Sequence, residues 1–203
     1  FKQKTAYEIM PSLVGSEMCI RDRSLPLALD NAMTPLCEET LRRWLDHVPQ
    51  FLEWLDSRPY ALVHGDFHPK QMFFPTEQGE GRFAVIDWQF PMVAPGPWDV
   101  ARIMLAGLST DVRQENEQRL IENYLDDLRV GGVDGYGIDE LRQDALTGHL
   151  ISLAIHTIAC ATEIDRFKME ITDLDLDWKD ILFGRLDAIF AEANPMDQLP
   201  YMR

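Results

Sequence analysis

The sequence predicts an α+β domain, mostly helical with one small β-hairpin. Apolar residues recur at helical spacing over much of the chain: Leu36, Leu41, Trp44, Leu45 and Val48, then Leu120, Ile121, Tyr124, Leu125 and Leu128. Short runs of β-forming residues are confined to 61–63, 72–74 and 82–86. Between the last two lies a polar, glycine-containing stretch, 76–81, that suits a hairpin with a longer loop.

Taken in order, residues 1–23 show no periodicity and no apolar core of a signal peptide. They resemble the translated read-through of a sequencing adapter and are set aside as an artefactual or disordered leader. Residues 24–193 read as one folded unit. Thr34 followed by Pro35 gives an N-cap and an N1 proline, and Glu38 and Glu39 fall in the first turn, where the helix dipole favours anions. A second short helix runs through Phe51, Leu52, Trp54 and Leu55 and closes before Pro59; its aromatics read as core. Residues 61–63 form a strand, after which Gly65 permits a tight path and Pro69 fixes another bend. Trp88 is expected to pack beneath the second hairpin strand.

Pro97 opens a helix through Val100, Ile103, Met104 and Leu105, and 111–130 is the next helix. The GGVDGYG stretch, 131–137, fits neither GxGxxG nor GxxxxGK and follows no strand, so it reads as a linker. Residues 138–161 form one long helix or two. His149 and His156 share a face seven residues apart, yet no HExxH pattern accompanies them, and His156 reads as a satisfied core histidine. Asp173, Asp175 and Asp177 lack the glycine and closing glutamate of a calcium loop and read as a capping turn before a helix over 178–193. Residues 194–203 are expected to be a frayed tail.

Composition excludes several function classes. A formal net charge of −15 argues against nucleic acid, whose phosphates need clustered Lys and Arg, and against anionic membrane surfaces. The cysteines, Cys19, Cys37 and Cys160, have no metal-ligand spacing and form no even disulfide set. Reduced thiols, and hence a cytoplasmic location, are the simplest reading. The longest apolar run, 150–161, falls short of the roughly 20 residues a membrane helix needs and contains Ser152, His156 and Thr157.

The chemistry concentrates in 62–105. Two apolar segments each end in an acidic residue, the first delivering His64-Gly65-Asp66 and the second Asp87. Gln71 follows Asp66 by five positions and begins the hairpin, whose open end would set Gln71 beside Asp87 with Asp66 near both. Magnesium takes oxygen ligands, one or two from protein and the rest from water and phosphates. Asp87 and Gln71 can supply those, leaving Asp66 to accept the proton of an attacking hydroxyl. Phosphoryl transfer asks little more of a protein than positioning and charge neutralisation. Taken singly, Asp66 reads as a loop cap and Asp87 as a strand-terminal turn former; taken together with the flanking pattern they read as catalytic.

HGDFHPKQ, VIDWQ and GPWDVAR, in this order, resemble the catalytic loop, metal strand and following helix of the aminoglycoside phosphotransferase and choline-kinase-like family, small-molecule relatives of protein kinases. The resemblance implies a kinase-like large, C-terminal lobe whose hairpin carries the metal ligands. It implies ATP and Mg²⁺ as cofactors and transfer of the γ-phosphoryl group to a small-molecule hydroxyl. Asp66 would be the catalytic base and Asp87 a metal ligand. Gln71, the other metal ligand, stands where the family has Asn, with the same amide and one more methylene. His64 and Asp99 would support the catalytic loop. Nothing before Leu62 supplies a Gly-rich loop followed by a lysine-bearing strand, so the N-terminal lobe is expected to be absent and the fragment inactive alone. A non-catalytic pseudokinase-type binding module is the alternative, and a phosphohydrolase using the same carboxylates a third. The helices after Asp99 carry no recognisable code for the substrate.

Overall fold

A computed structural model describes residues 4–5, 32–76 and 79–203. The leader expected over residues 1–23 lies outside the described residues except for Lys4–Thr5, and Cys19 lies outside them too. The chain is α+β and mostly helical, as its periodicity requires.

Helix α1 (Pro35–Asp46) starts where Thr34 turns extended and its hydroxyl accepts the Cys37 amide at 3.1 Å. Its stripe of Cys37, Leu41, Trp44 and Leu45 is buried. Helix α2 (Val48–Asp56) follows at once and buries Phe51 and Leu55, with Phe51 edge-on to Trp44 at 5.5 Å. After the strands come α3 (Pro97–Gly107), α4 (Thr110–Val130), α5 (Ile138–Thr172), α6 (Arg185–Glu192) and the single turn α7 (Pro195–Gln198). A π-helical turn, Asp180–Gly184, leads into α6.

Helix α5 is the axis of the core, with Leu141, Leu150 and Leu153 fully buried. It crosses α3 closely because Gly148 lacks a side chain: a Cβ there would stand 2.9 Å from that of Ala101. Glu163, at φ −138°, leaves helical geometry, so α5 is two helical pieces in continuity. The stretch Ile138–Ala161 is long and apolar enough to cross a membrane, but 72% of its most apolar window lies inside the fold, which accounts for its apolarity. The C-terminal end of α3 is fixed by the buried Arg185, which donates to the Leu105 and Ala106 carbonyls at 3.1 and 3.3 Å.

The strands form two small sheets. In the first, β5 (Met92–Ala94) lies between β2 (Ala61–Val63), antiparallel with Val63 opposite Met92, and β1 (Lys4–Thr5), parallel. In the second, β3 (Met72–Phe73) pairs with β4 (Ala84–Val85), Met72 opposite Val85. The hairpin expected over 72–74 and 82–86 is this second sheet. Strand β5 was not expected: prolines at 91 and 95 bracket it, and its pairing with β2 and β1 makes it a strand.

The last ten residues do not fray. Asn194 caps α7 through the Met196 amide at 3.0 Å, and Leu199, Tyr201 and Met202 are buried. The Tyr201 ring lies 5.3 Å from Phe51, and its hydroxyl meets Thr147 Oγ1 at 2.8 Å. Three apolar anchors within a polar-looking tail overrule the expectation of disorder.

Candidate active site

Strand β2 ends at Val63, and the next two residues leave the sheet in a shape only glycine allows. Gly65 sits at φ +83°, and a Cβ there would lie 2.3 Å from the Phe90 carbonyl oxygen. The backbone of this turn is held from α3. Asp99, in the first turn of that helix, accepts the His64 amide at 2.6 Å and the Gly65 amide at 3.1 Å. Burial pushes the Asp99 carboxyl above its ordinary value, with the two amides opposing.

His64 is buried and bridges the loop to the hairpin. Its Nε2 lies 2.8 Å from the Ile86 carbonyl oxygen and its Nδ1 accepts the Asp66 amide at 3.4 Å, which assigns the proton to Nε2. The residue after Ile86 is Asp87, so one imidazole sets the loop that carries Asp66 against the strand end that carries Asp87. Trp88, whose ring is 4.8 Å from His64, is about half exposed and donates its indole N–H to the Val85 carbonyl at 3.2 Å. It flanks His64 from the solvent side and does not pack beneath the strand as expected. Among the described residues the short sheet brings no apolar layer over it.

Asp66 is held by two partners. Arg102 Nη2 donates to Oδ1 at 3.1 Å, and His68 Nε2 is 3.5 Å from Oδ2. Burial raises the Asp66 carboxyl, but His68 and the Arg102 charge outweigh it and bring it from the ordinary 3.8 down to about 2. His68 Nε2 in turn lies 3.3 Å from Gln71 Nε2, which donates to Asp87 Oδ2 at 3.1 Å. The Gln71 carbonyl accepts the Ile86 amide at 2.9 Å, continuing the hairpin pairing, and Asp87 takes φ +64° as it leaves the strand. Gln71 and Asp87 are thus adjacent, and Asp66 reaches them through His68.

Three participants escaped sequence reasoning about the site. His68 lies in the loop after Asp66, within HGDFHPKQ, where no local pattern marks its partners. Arg102 carried no reading, although it lies three positions after Asp99 on the same face of α3. His156 is the satisfied core histidine expected, its Nδ1 2.8 Å from the Leu182 carbonyl, yet its Nε2 meets Arg102 Nη1 at 2.8 Å. Lys70 is exposed on the short 3₁₀ turn Pro69–Gln71.

Among the described residues no group of three or more His, Cys, Asp or Glu side chains is placed to hold a metal. The donors at the hairpin mouth are instead one carboxylate and one amide, the oxygen chemistry and ligand number Mg²⁺ takes from protein. Gln71 now presents nitrogen to Asp87; turning its amide over would present Oε1 without moving the backbone. The residues present therefore fit a magnesium ion.

No curated protein and no solved structure matches the chain. The profile of the phosphotransferase enzyme family matches residues 20–142, more than half of its length, with Asp66, Gln71, Asp87, Asp99 and Arg102 all inside the match. The loop, hairpin and helix that converge on Asp66 are those the family profile spans, and the chain belongs to the phosphotransferase enzyme family.

Proposed function

We propose that the protein transfers the γ-phosphoryl group of ATP to a hydroxyl group of a small molecule. The observation that carries this reading is that Asp66, held anionic, stands one histidine away from the adjoining pair Gln71 and Asp87. The acceptor oxygen attacks the γ-phosphorus, forming the new P–O bond as the bond to the β–γ bridging oxygen breaks and ADP leaves. The acceptor's proton passes to a carboxylate oxygen of Asp66. Gln71 and Asp87 hold Mg²⁺, which when bound neutralises phosphate charge. Asp99 and His64 keep the loop in place beneath the reaction, one through backbone amides and the other through the Ile86 carbonyl. A net charge of −15 suits a small-molecule acceptor better than nucleic acid or an anionic membrane. The same reading puts the reaction in the cytoplasm, where ATP and Mg²⁺ are at hand.

One observation favours a second reading, a pseudokinase-type binding module. The Gln71 amide donates to Asp87, so the pair is satisfied without a metal. Phosphoryl transfer from ATP by the full-length gene product, measured over a panel of aminoglycosides, choline-like amines and sugars, separates the two. Asp66→Asn and Asp87→Ala are each expected to lose at least about 10²-fold in kcat. Retained turnover in either variant overturns its assigned role. Wild-type protein that neither transfers phosphate nor binds Mg²⁺ at millimolar concentration is the binding module.

A further inference from the structure

The candidate base is gripped from behind by two polar side chains, half-buried Arg102 and buried His156, that the transfer reaction does not itself require. Arg102 leaves α3 on the face that carries Asp99. Its Nη2 meets Asp66 Oδ1 at 3.1 Å, and its Nη1 meets His156 Nε2 at 2.8 Å. His156 rises from α5, buried, and its Nδ1 lies 2.8 Å from the Leu182 carbonyl in the π-helical turn. A ring that accepts from Arg102 at Nε2 must carry its proton at Nδ1, donated to Leu182. Three elements of the helical body, α3, α5 and the π turn, thus converge on one oxygen of one aspartate.

We infer that Arg102, oriented by His156, is a positioning residue for Asp66: it pins Oδ1 and leaves Oδ2, on the His68 side, as the oxygen that takes the acceptor's proton. The inference rests on Asp66 being the proton acceptor, and it adds which oxygen acts and what fixes it. The guanidinium has two nitrogens committed, one to each partner, so its plane cannot swing outward to a substrate without breaking both contacts. The carboxylate is correspondingly locked in rotation. A lysine at position 102 would supply charge without the fork and leave Asp66 free to turn.

The groups that face Asp66 are Arg102 and Asp99 from α3, His156 from α5, and His68 from its own loop. Burial and the neighbouring Arg102 push the His156 imidazole down to about 3, so it stays neutral and able to accept over the working range.

The test is a titration of the Asp66 side-chain carboxyl by ¹³C NMR in the full chain, paired with steady-state kinetics on the full-length gene product. In Arg102→Met the Asp66 midpoint is expected to rise by about one pH unit or more. In the same variant kcat is expected to fall about 10²-fold while KM for the acceptor changes little. Arg102→Lys should restore most of the midpoint and little of kcat, since charge returns without the fork. His156→Gln, whose amide can accept from Arg102 and donate to Leu182, should resemble wild type in both readouts, whereas His156→Leu should lose kcat. An Asp66 midpoint in Arg102→Met within about 0.3 pH unit of wild type, in protein with an unchanged amide spectrum, overturns the link. Full kcat in Arg102→Lys overturns the claim of orientation. The titration needs no turnover, so a wild type without transferase activity sinks the functional reading while the Arg102–Asp66 link is still measured on its own.

Discussion

In the helical body Phe51, Leu55, Leu150, Leu153, Phe183 and Leu186 are all but sealed from solvent, whereas in the hairpin Phe73, Phe74 and Phe83 are more than half exposed. The two regions are held by different forces. The body is fixed by apolar packing across α1, α2, α5 and α6. The loop and hairpin, with two-residue strands, are fixed by polar contacts: Asp99 to two amides, His64 to the Ile86 carbonyl, Arg102 to Asp66. Substitutions in the body should therefore register as lost stability, and substitutions at the rim as lost function in a folded protein.

The largest stability effect is expected in the body. Phe51→Ala removes a buried ring packed against Trp44 and Tyr201 and should cost about 3–5 kcal/mol in denaturant unfolding. Asp99→Ala comes next. It leaves the His64 and Gly65 amides without their carboxylate and should cost about 2–3 kcal/mol while abolishing transfer activity. A stable, active Asp99→Ala protein would show that the loop does not depend on α3.

A smaller effect, of opposite sign, comes from comparing two histidines on α5. His156 has a partner at each ring nitrogen; His149, equally buried, has none at either among the described residues. His149→Leu should stabilise the protein by about 1 kcal/mol at pH 7, because two unsatisfied nitrogens leave the core. Burial, with a nearby arginine in each case, holds both imidazoles at about 3 against an ordinary 6.5. Between those values the unfolded chain binds more protons than the folded one, so stability falls as pH drops from about 6.5 towards 3. His149→Leu removes one of those protonations and should flatten that fall, as unfolding curves at pH 7 and pH 5 would show. An unchanged slope would mean that His149 is not neutral in the folded chain. The Asp66 contribution is present above its ordinary 3.8 and is lost only as pH falls on towards about 2, a separate acid limb.

The smallest effect belongs to the rim: Phe74→Ala should change stability by no more than about 0.5 kcal/mol. A cost comparable to that of Phe51→Ala would erase the distinction between the two regions.

What was legible in the sequence follows the same division. The helices announced themselves through periodicity, and the order of Asp66, Gln71 and Asp87 around a turn-rich stretch placed the hairpin and the family, because those signals are local. Strand β5 was hidden, since three residues between prolines carry no pattern and gain their conformation from the neighbouring strands β2 and β1. The anchors Leu199, Tyr201 and Met202 were hidden because burial of an isolated apolar residue depends on what the fold brings over it. The grip on Asp66 joins residues 36 positions apart, and Arg102 meets His156 across another 54. No window of sequence holds both ends of such a contact, and the arginine's place on the Asp99 face of α3 was its one local trace.

The most direct measurement is the anomalous signal of Mn²⁺, standing in for Mg²⁺, in crystals of the full-length gene product. One peak is expected at the hairpin mouth, within coordination distance of an Asp87 oxygen and of Gln71 Oε1, with the Gln71 amide turned over and Asp66 still on Arg102. A peak coordinated by Asp66 and not by Asp87, or no peak at millimolar Mn²⁺, contradicts the assignment of base and metal ligands on which the phosphotransferase reading stands.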